Sequence, residues 1–501
     1  MNARLPDPAV PVLDPAATRR CVDARWQRDI LPALQRYIEI PAKSPMFDPD
    51  WVDHGHLEAV LRQAADWVAR QPVQGLTLEI VRLTRPDGSP RTPVLLLEVP
   101  ARAGADGTPA PASGQTVLLY GHLDKQPEFA GWRADLGPWT PRLIDDKLYG
   151  RGGADDGYAV YAAVAAIEAL QAQGRAHPRL VALIETGEES GSPDLLPTIE
   201  ALRPRLGDVG LVICLDSGAG NYDQLWLTTS LRGMVSGVLR VDILTEGVHS
   251  GDASGLVPSS FRILRHVLDR LEDSATGRLL PAVFHCEIPA ERIAQARETA
   301  AILGDAVWQR FPWAQHDCGG SAVVALPTTT DPVEALLNRT WRPTLSVTGA
   351  EGLPALRDAG NVLRPYTAFK LSLRLPPLVD AAHAVQQLKA LLEDNAPYQA
   401  RVTFEPEGAA NGWNAPASAP WFEQALHAAS RAHFGAPCGT IGQGGTIPLM
   451  NMLSTGFPQA QMMVCGVLGP KSNAHGPNEF LHVPYAQRLT AAVAEVMARM
   501  P

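Results

Sequence analysis

Four short apolar runs in this chain are each followed at once by a polar cluster rich in metal-ligating side chains. QTVLLY precedes GHLDK, RLVALI precedes ETGEESGS, GLVIC precedes LDSGAG, and MMVCGVLG precedes SNAHGPNEF. Apolar runs of this length bounded by glycine-containing turns read as buried strands. Helical patterns over Asp156–Ala172 and Leu195–Leu202 separate the first three of them. Strands alternating with helices build a parallel sheet, and in such a sheet ligands bind outside the carboxyl ends of the strands. The spacing therefore predicts that all four polar clusters gather at one edge of one sheet.

Elsewhere the periodicity predicts helices over Cys21–Ile38 and His56–Arg70 and strands over Leu78–Leu83 and Val94–Val99. The first twenty residues, rich in Pro and Ala, read as a loose arm, and Ala101–Gly114 as a surface loop. Near Arg232 the pattern changes. GMVSGVLRVDILTE alternates as a strand, then come a helix over Ser259–Glu272, strands around Leu345 and Lys370–Arg374, a helix over Ala381–Leu392 and a strand over Gln399–Phe404. A β-α-β-β-α-β order of this kind predicts a ferredoxin-like unit. The helix Pro420–Phe434 and the strand QAQMMVCGVLG then resume the first pattern. The expected fold class is α/β: a catalytic domain with a mostly parallel sheet and helices on both faces, interrupted by an inserted ferredoxin-like α+β domain. The expected boundaries are 1–231, 232–408 and 409–501, and 501 residues suffice for two to three domains.

Charge narrows the partners. Lys and Arg number 43 against 53 for Asp and Glu, a net charge of -10 without a long like-charge run, so nucleic acid and anionic membrane are poor partners. No stretch of 18 apolar residues and no apolar leader is present, and the six cysteines are widely scattered; the expectation is a reduced, cytoplasmic protein without a membrane span.

The clusters place His122, Asp124, Glu188, Glu189, Asp216 and His475 after predicted strands, with Asp155 at the start of a helix. Two imidazoles and several carboxylates suit zinc, manganese or a similar divalent ion. One zinc needs only three protein ligands and an open position, so this inventory suffices for two ions sharing a carboxylate. Taken singly, a His after a strand is an ordinary surface or core residue, and EE or DD before a helix is an ordinary cap. Jointly, carboxylates crowded after successive strands would repel one another unless metal compensated them. Asp124 lies two residues beyond His122, on the same face of an extended chain, where its carboxylate can hold the imidazole in the ligating tautomer. No HExxH, GxSxG, P-loop or GxGxxG occurs, which removes support from a thermolysin-like protease, a serine hydrolase and a nucleotide enzyme.

The runs GHLDKQP, LYGRGGADDG, ETGEESGS, ICLDSG, EGVHSG, GGTIP and NAHGPNE resemble those of the co-catalytic zinc peptidases. That family includes carnosinase, cytosolic non-specific dipeptidase, aminoacylase-1, carboxypeptidase G and succinyl-diaminopimelate desuccinylase. The motifs follow the family's order from about residue 115 to 482, and the carnosinase-type dipeptidases are the nearest branch. The resemblance implies that His122, Asp155 and Asp216 bind one metal and that Asp155, Glu189 and His475 bind the other. Asp155 would bridge them, followed by a cis peptide. It implies that Glu188 is the general base, the alternative being a third metal ligand, and that Asp124 supports catalysis behind His122. His249 resembles a histidine that reaches across a dimer interface to steady the oxyanion, or else it caps its own loop. Asn361, Arg374 and Thr446 resemble substrate-holding positions, with a structural ion pair as the alternative for Arg374.

Two departures accompany the match. Gly157 follows the DD pair where the family often has Lys, and Gln443 precedes GG where dipeptidase members usually carry Glu, which can meet a substrate amine. The implied activity is hydrolysis of dipeptides or small peptides with a free carboxylate by a homodimer holding two divalent ions per subunit, Zn2+ first and Mn2+ second. Gln443 keeps an N-acyl-amino-acid deacylase as the alternative, whereas Asp216 favours the dipeptidase. A catalytically silent scaffold of the same fold is a remoter reading, because every ligand position is filled.

Overall fold

In the computed structural model, residues 12–318, 321–446 and 448–501 are described. The chain forms two compact units. One comprises the chain up to Thr228 together with Ala415–Ile441 and Met452–Pro501; the other comprises Thr229–Asn414 and Gly442–Asn451. The sequence boundaries leave the segment Gly442–Asn451 outside the inserted part, whereas the structure packs it with that unit.

The first unit is built on a six-stranded sheet in the order Thr77–Val81, Val94–Val99, Arg179–Glu185, Thr116–His122, Val209–Cys214, Gln461–Val464. The last four strands run parallel, and the first two join antiparallel at one edge. The strands Thr116–His122 and Val209–Cys214 are buried along their whole length, which is why they read as continuous apolar runs without alternation. Thr116–His122 has the next two parallel strands of the chain on its two opposite sides. The order reverses there, and that is where a ligand crevice opens in such a sheet.

The helix Ala159–Ala172 is buried on nearly every side. Its many alanines let it pack closely against Val483–Ala498, which in turn packs on Pro420–Phe434. The chain is helical from Pro15, well before Cys21: the Asp14 carboxylate accepts the N–H groups of Ala16 and Ala17, and Pro15 supplies the preset φ of a first helical residue. This corrects the loose-arm reading for Pro15–Arg20. The part of that arm through Pro11 lies outside the described residues. Among the described residues no helix is long and apolar enough to cross a membrane.

The second unit carries a four-stranded antiparallel sheet in the order Thr344–Glu351, Tyr366–Leu375, Gly233–Asp242, Arg401–Ala410. Gly233–Asp242 alternates buried and half-buried residues, the mark of a sheet with one covered face. Helices Ser260–Leu268 and Ala381–Glu393 pack on this sheet through a core containing Leu239, Leu264, Leu371, Leu388 and Phe404. This is the ferredoxin-like arrangement expected from the element order. Between the first helix and the second strand lies an insertion absent from the sequence reading, with helices Ala290–Leu303 and Pro332–Thr340 and the hairpin Gln315–Cys318/Ser321–Val324. It has its own small apolar cluster of Ala300, Val307 and Leu336.

Candidate metal centre

The strand Thr116–His122 ends on His122, paired in register with Glu185 at the end of the neighbouring strand. The imidazole is completely buried. Its Nδ1 donates to the Asp124 carbonyl oxygen at 3.1 Å, with Oδ1 of the Asp124 carboxylate at 3.4 Å. A carbonyl can only accept, so the proton sits on Nδ1 and the Nε2 lone pair points into the crevice. Among the described residues Nε2 has no hydrogen-bond partner. It faces Asp155 Oδ1 at 3.6 Å, Asp216 Oδ2 at 3.9 Å and Glu188 Oε2 at 4.0 Å. These gaps are too long for hydrogen bonds, and an ion seated between the groups would bridge them.

On the other side of Asp155 stands His475, with Nε2 3.0 Å from Asp155 Oδ2 and 3.3 Å from Glu189 Oε2. Asp155 thus lies between the two histidines, one oxygen toward each. The peptide joining it to Asp156 is cis. Ligating atoms of His122, Asp155 and Glu189 lie within 4.8 Å of one another, as do those of His122, Glu188 and Asp216. Glu188 and Glu189 follow one strand in a tight turn and diverge, Glu188 toward His122 and Asp216, Glu189 toward His475. The position of Glu188 fits both a general base and a third ligand. Asp124 binds this turn from behind, its Oδ1 accepting Glu188 N–H at 3.2 Å and its Oδ2 accepting Glu189 N–H at 3.0 Å.

Electrostatics favour a cation here. Burial, then the neighbouring carboxylate of Asp216, pushes Glu188 well above the usual carboxylate range; burial, then Asp155, does the same for Glu189. Asp216 is pushed up to about 7, chiefly by burial. Burial also acts upward on Asp155, but the two imidazoles beside it, His122 and His475, outweigh it and hold Asp155 below its ordinary value. For His122 burial opposes positive charge, yet Asp124, Asp155 and Asp216 prevail and raise it well above an ordinary imidazole. The crevice thus attracts positive charge at the spot the Nε2 lone pair faces, and its imidazole and carboxylate donors fit zinc or manganese.

Several residues that shape this centre escaped the sequence reading. Gln126 Nε2 donates to Glu189 Oε2 at 2.6 Å, the same oxygen that faces His475 Nε2. Asp156 Oδ2 accepts the His122 backbone N–H at 3.4 Å. Most consequential is the buried pair Arg151–Glu479, at 2.7 Å. Glu479 Oε1 accepts the N–H groups of Gly152 and Ala154, just before Asp155, while Arg151 Nη2 donates to the carbonyls of His475 and Gly476. One ion pair so holds the backbones that present Asp155 and His475. Gly152 has φ of +79°, and a Cβ there would meet the Lys125 stem at 2.8 Å, so glycine is required twice over. The available signal was that these residues sit inside the same polar clusters; their pairings are invisible in sequence.

The remaining expected site residues belong to the second unit. His249 ends the two-residue strand Val248–His249, opposite Val362, and Ser250 N–H donates to the Asn361 carbonyl, so His249 and Asn361 lie on adjoining segments. His249 is exposed, and its Nδ1 accepts Gly251 N–H at 3.1 Å, which leaves Nε2 outward. Arg374 Nη1 donates to Thr446 Oγ1 at 3.0 Å. No carboxylate among the described residues pairs with Arg374, so the structural ion pair does not form there. Gln443 ends the strand Gly439–Gln443, at the start of the loop that carries Thr446.

The profile described as peptidase family M20/M25/M40 matches residues 118–499. Among curated proteins, the chain is 28% identical over 385 residues to the cysteinylglycine-S-conjugate dipeptidase of Corynebacterium striatum, covering 76% of this chain and 80% of that protein. It is 27% identical over 443 residues to the human Beta-Ala-His dipeptidase, covering 85% and 81% respectively. Among solved structures, that of human carnosine dipeptidase 1 superposes with a TM-score of 0.73 at 22% identity, over 98% of this chain and 100% of that one, a likeness of fold.

Proposed function

The chain belongs to peptidase family M20/M25/M40, and from that premise we propose that it is a metallodipeptidase with two divalent ions per subunit, Zn2+ first and Mn2+ second, that cleaves dipeptides or small peptides bearing a free carboxylate. The observation carrying this reading is the buried, unpartnered Nε2 of His122 facing three carboxylates, with His475 closing the far side of Asp155. His122, Asp155 and Asp216 would hold one ion, and Asp155, Glu189 and His475 the other. Bound there, the ions would supply Lewis acidity toward the scissile carbonyl and the attacking water.

The protein's own groups do the rest. Asp124 keeps the proton of His122 on Nδ1 and fixes the Glu188–Glu189 turn. The Glu188 carboxylate takes a proton from the attacking water and delivers it to the leaving amine nitrogen. Arg374, steadied by Thr446, grips the substrate carboxylate, and Asn361 is a further substrate-holding residue. His249 acts across a homodimer formed through the inserted domain, steadying the oxyanion in the partner's site. Residues 232–408 accordingly serve as lid and dimerisation domain. A cytoplasmic location accords with the free thiols of Cys21, Cys214, Cys286, Cys438 and Cys465.

A second reading, an N-acyl-amino-acid deacylase, is favoured by Gln443, whose neutral amide pairs weakly with a substrate ammonium. Metal-reconstituted enzyme assayed on free dipeptides and their N-acetylated counterparts, with chelator-treated protein as the blank, separates the two. Cleavage of free dipeptides supports the dipeptidase, and cleavage of the acylated set alone makes it a deacylase. Absence of metal-dependent cleavage from both sets rejects both. The shared site is tested by mixing subunits. His249→Ala loses most activity, and exchange with Glu188→Gln subunits restores part of it, because each mixed dimer regains one complete site. No recovery after verified exchange would reject the shared site.

A further inference from the structure

We propose that Arg232, Arg339 and Arg374, gathered about the Gln443–Thr446 loop, receive a second negative group on the substrate, so that the preferred dipeptides end in Asp or Glu. This rests on the reading that Arg374 binds the terminal carboxylate.

Three arginines come together at this loop, Arg310 adds a further charge near Arg339, and the bonds that Arg232 and Arg374 make among the described residues go to neutral acceptors. Arg232 is 8% exposed, and its bonds go to the Gly444 carbonyl at 3.1 Å, the Thr344 hydroxyl at 3.1 Å and the Arg342 carbonyl at 3.5 Å. Arg339, on the helix Pro332–Thr340, has a buried Nε without a hydrogen-bond partner among the described residues. Both converge on Gly444, where a Cβ would come within 3.2 Å of Arg232 Nη2 and of the Arg339 stem. Arg374 reaches the same loop at Thr446, and it pairs in register with Thr344, whose hydroxyl Arg232 holds. Among the described residues no Asp or Glu forms an ion pair with any of the three, and the loop sequence QGGT offers no acid. Burial lowers Arg232 to about 10, with the charge of Arg374 adding to the effect, and Arg339 to about 9, with the charges of Arg310 and then Arg232 adding.

Desolvated charge without a partner is costly, and guanidinium does not escape by losing its proton at neutral pH. One terminal carboxylate balances one of three charges. A C-terminal Asp or Glu brings a second carboxylate a few bonds from the first, and a planar guanidinium fork binds it in two parallel hydrogen bonds. Asn or Gln at that place has the same shape without the charge, which makes the amide the proper comparison.

The test pairs kinetics with binding. On metal-loaded enzyme, kcat/KM for Ala-Asp and Ala-Glu should exceed that for Ala-Asn and Ala-Gln by at least about ten-fold, mainly through KM. Arg339→Met should bring that ratio toward one, and Arg339→Lys should restore part of it. In thermal-shift measurements, succinate and glutarate should raise Tm more than acetate at equal concentration, and Arg339→Met should remove the difference. Equal kcat/KM for acids and amides, with Arg374→Met raising KM for both, overturns the second anion site and leaves the terminal-carboxylate reading intact. An unchanged KM in Arg374→Met overturns the reading beneath it. Should no dipeptide be cleaved, the thermal shift alone decides: equal shifts from dicarboxylate and acetate reject the proposal, and a dicarboxylate-specific shift lost in Arg339→Met upholds the anion site.

Discussion

Asp124 Oδ2 accepts the backbone N–H of Glu189 at 3.0 Å, so a residue two places beyond one candidate ligand anchors the backbone of another. The same carboxylate takes Glu188 N–H and stands beside Nδ1 of His122. Asp124→Ala would leave two N–H groups without acceptors and remove the carboxylate beside Nδ1 of His122, while the Nδ1 bond to the main-chain carbonyl of residue 124 remains. Metal affinity should fall about 10–100-fold, the usual effect of losing such a supporting carboxylate. Asp124→Asn, which keeps one acceptor oxygen, should lose less. Metal titration of the chelator-stripped variants checks both, and unchanged affinity in Asp124→Ala would refute this role.

Glu188→Gln keeps the shape of the side chain and removes its ability to take a proton. kcat should drop by roughly 10²–10⁴ while metal content stays near that of the wild type. Elemental analysis beside the kinetics distinguishes the roles, since a variant that loses metal identifies Glu188 as a ligand.

The Arg151–Glu479 pair is buried on both sides, and breaking it strands a charge. Arg151→Met should destabilise the protein by about 3–5 kcal/mol in urea unfolding. Adding Glu479→Gln to that variant should recover part of the loss, because the unpaired carboxylate is then gone. A double variant no better than the single one would mean that the backbone bonds of the pair, and not its charges, account for the cost.

His433 offers a stability switch remote from the metal residues. Burial, aided by the charge of Arg19, lowers it to about 4, and neither ring nitrogen has a hydrogen-bond partner among the described residues. In the unfolded chain it takes up a proton near pH 6.5, in the folded chain only near pH 4. Between these values the unfolded state binds more protons, so stability falls as pH falls, by about 3 kcal/mol across the window. His433→Leu should remove that part of the slope. The measurement is the difference between wild-type and variant unfolding free energies at a series of pH values from 4 to 7, and a flat difference would contradict the assignment.

The chain's sequence by itself determined where the parallel strands lie and that His122, Glu188, Glu189 and Asp216 follow their ends, because an apolar run ending in a glycine-bounded polar cluster is a local pattern. The ferredoxin-like order of the inserted unit was legible for the same reason, since each strand and helix there carries its own period. The start of the first helix at Pro15 was missed because the cap at Asp14 outweighs the weak periodicity that follows it. The segment holding Ala290–Leu303 and Pro332–Thr340 was passed over because its cluster is small and its hairpin short. Only the tertiary structure decided that Arg151 would meet Glu479, that His122 Nε2 would face three carboxylates, and that Arg232 and Arg339 would converge on Gly444. These are contacts between side chains far apart in the chain. They depend on how separate elements pack, and no local periodicity encodes which charge will come to lie beside which.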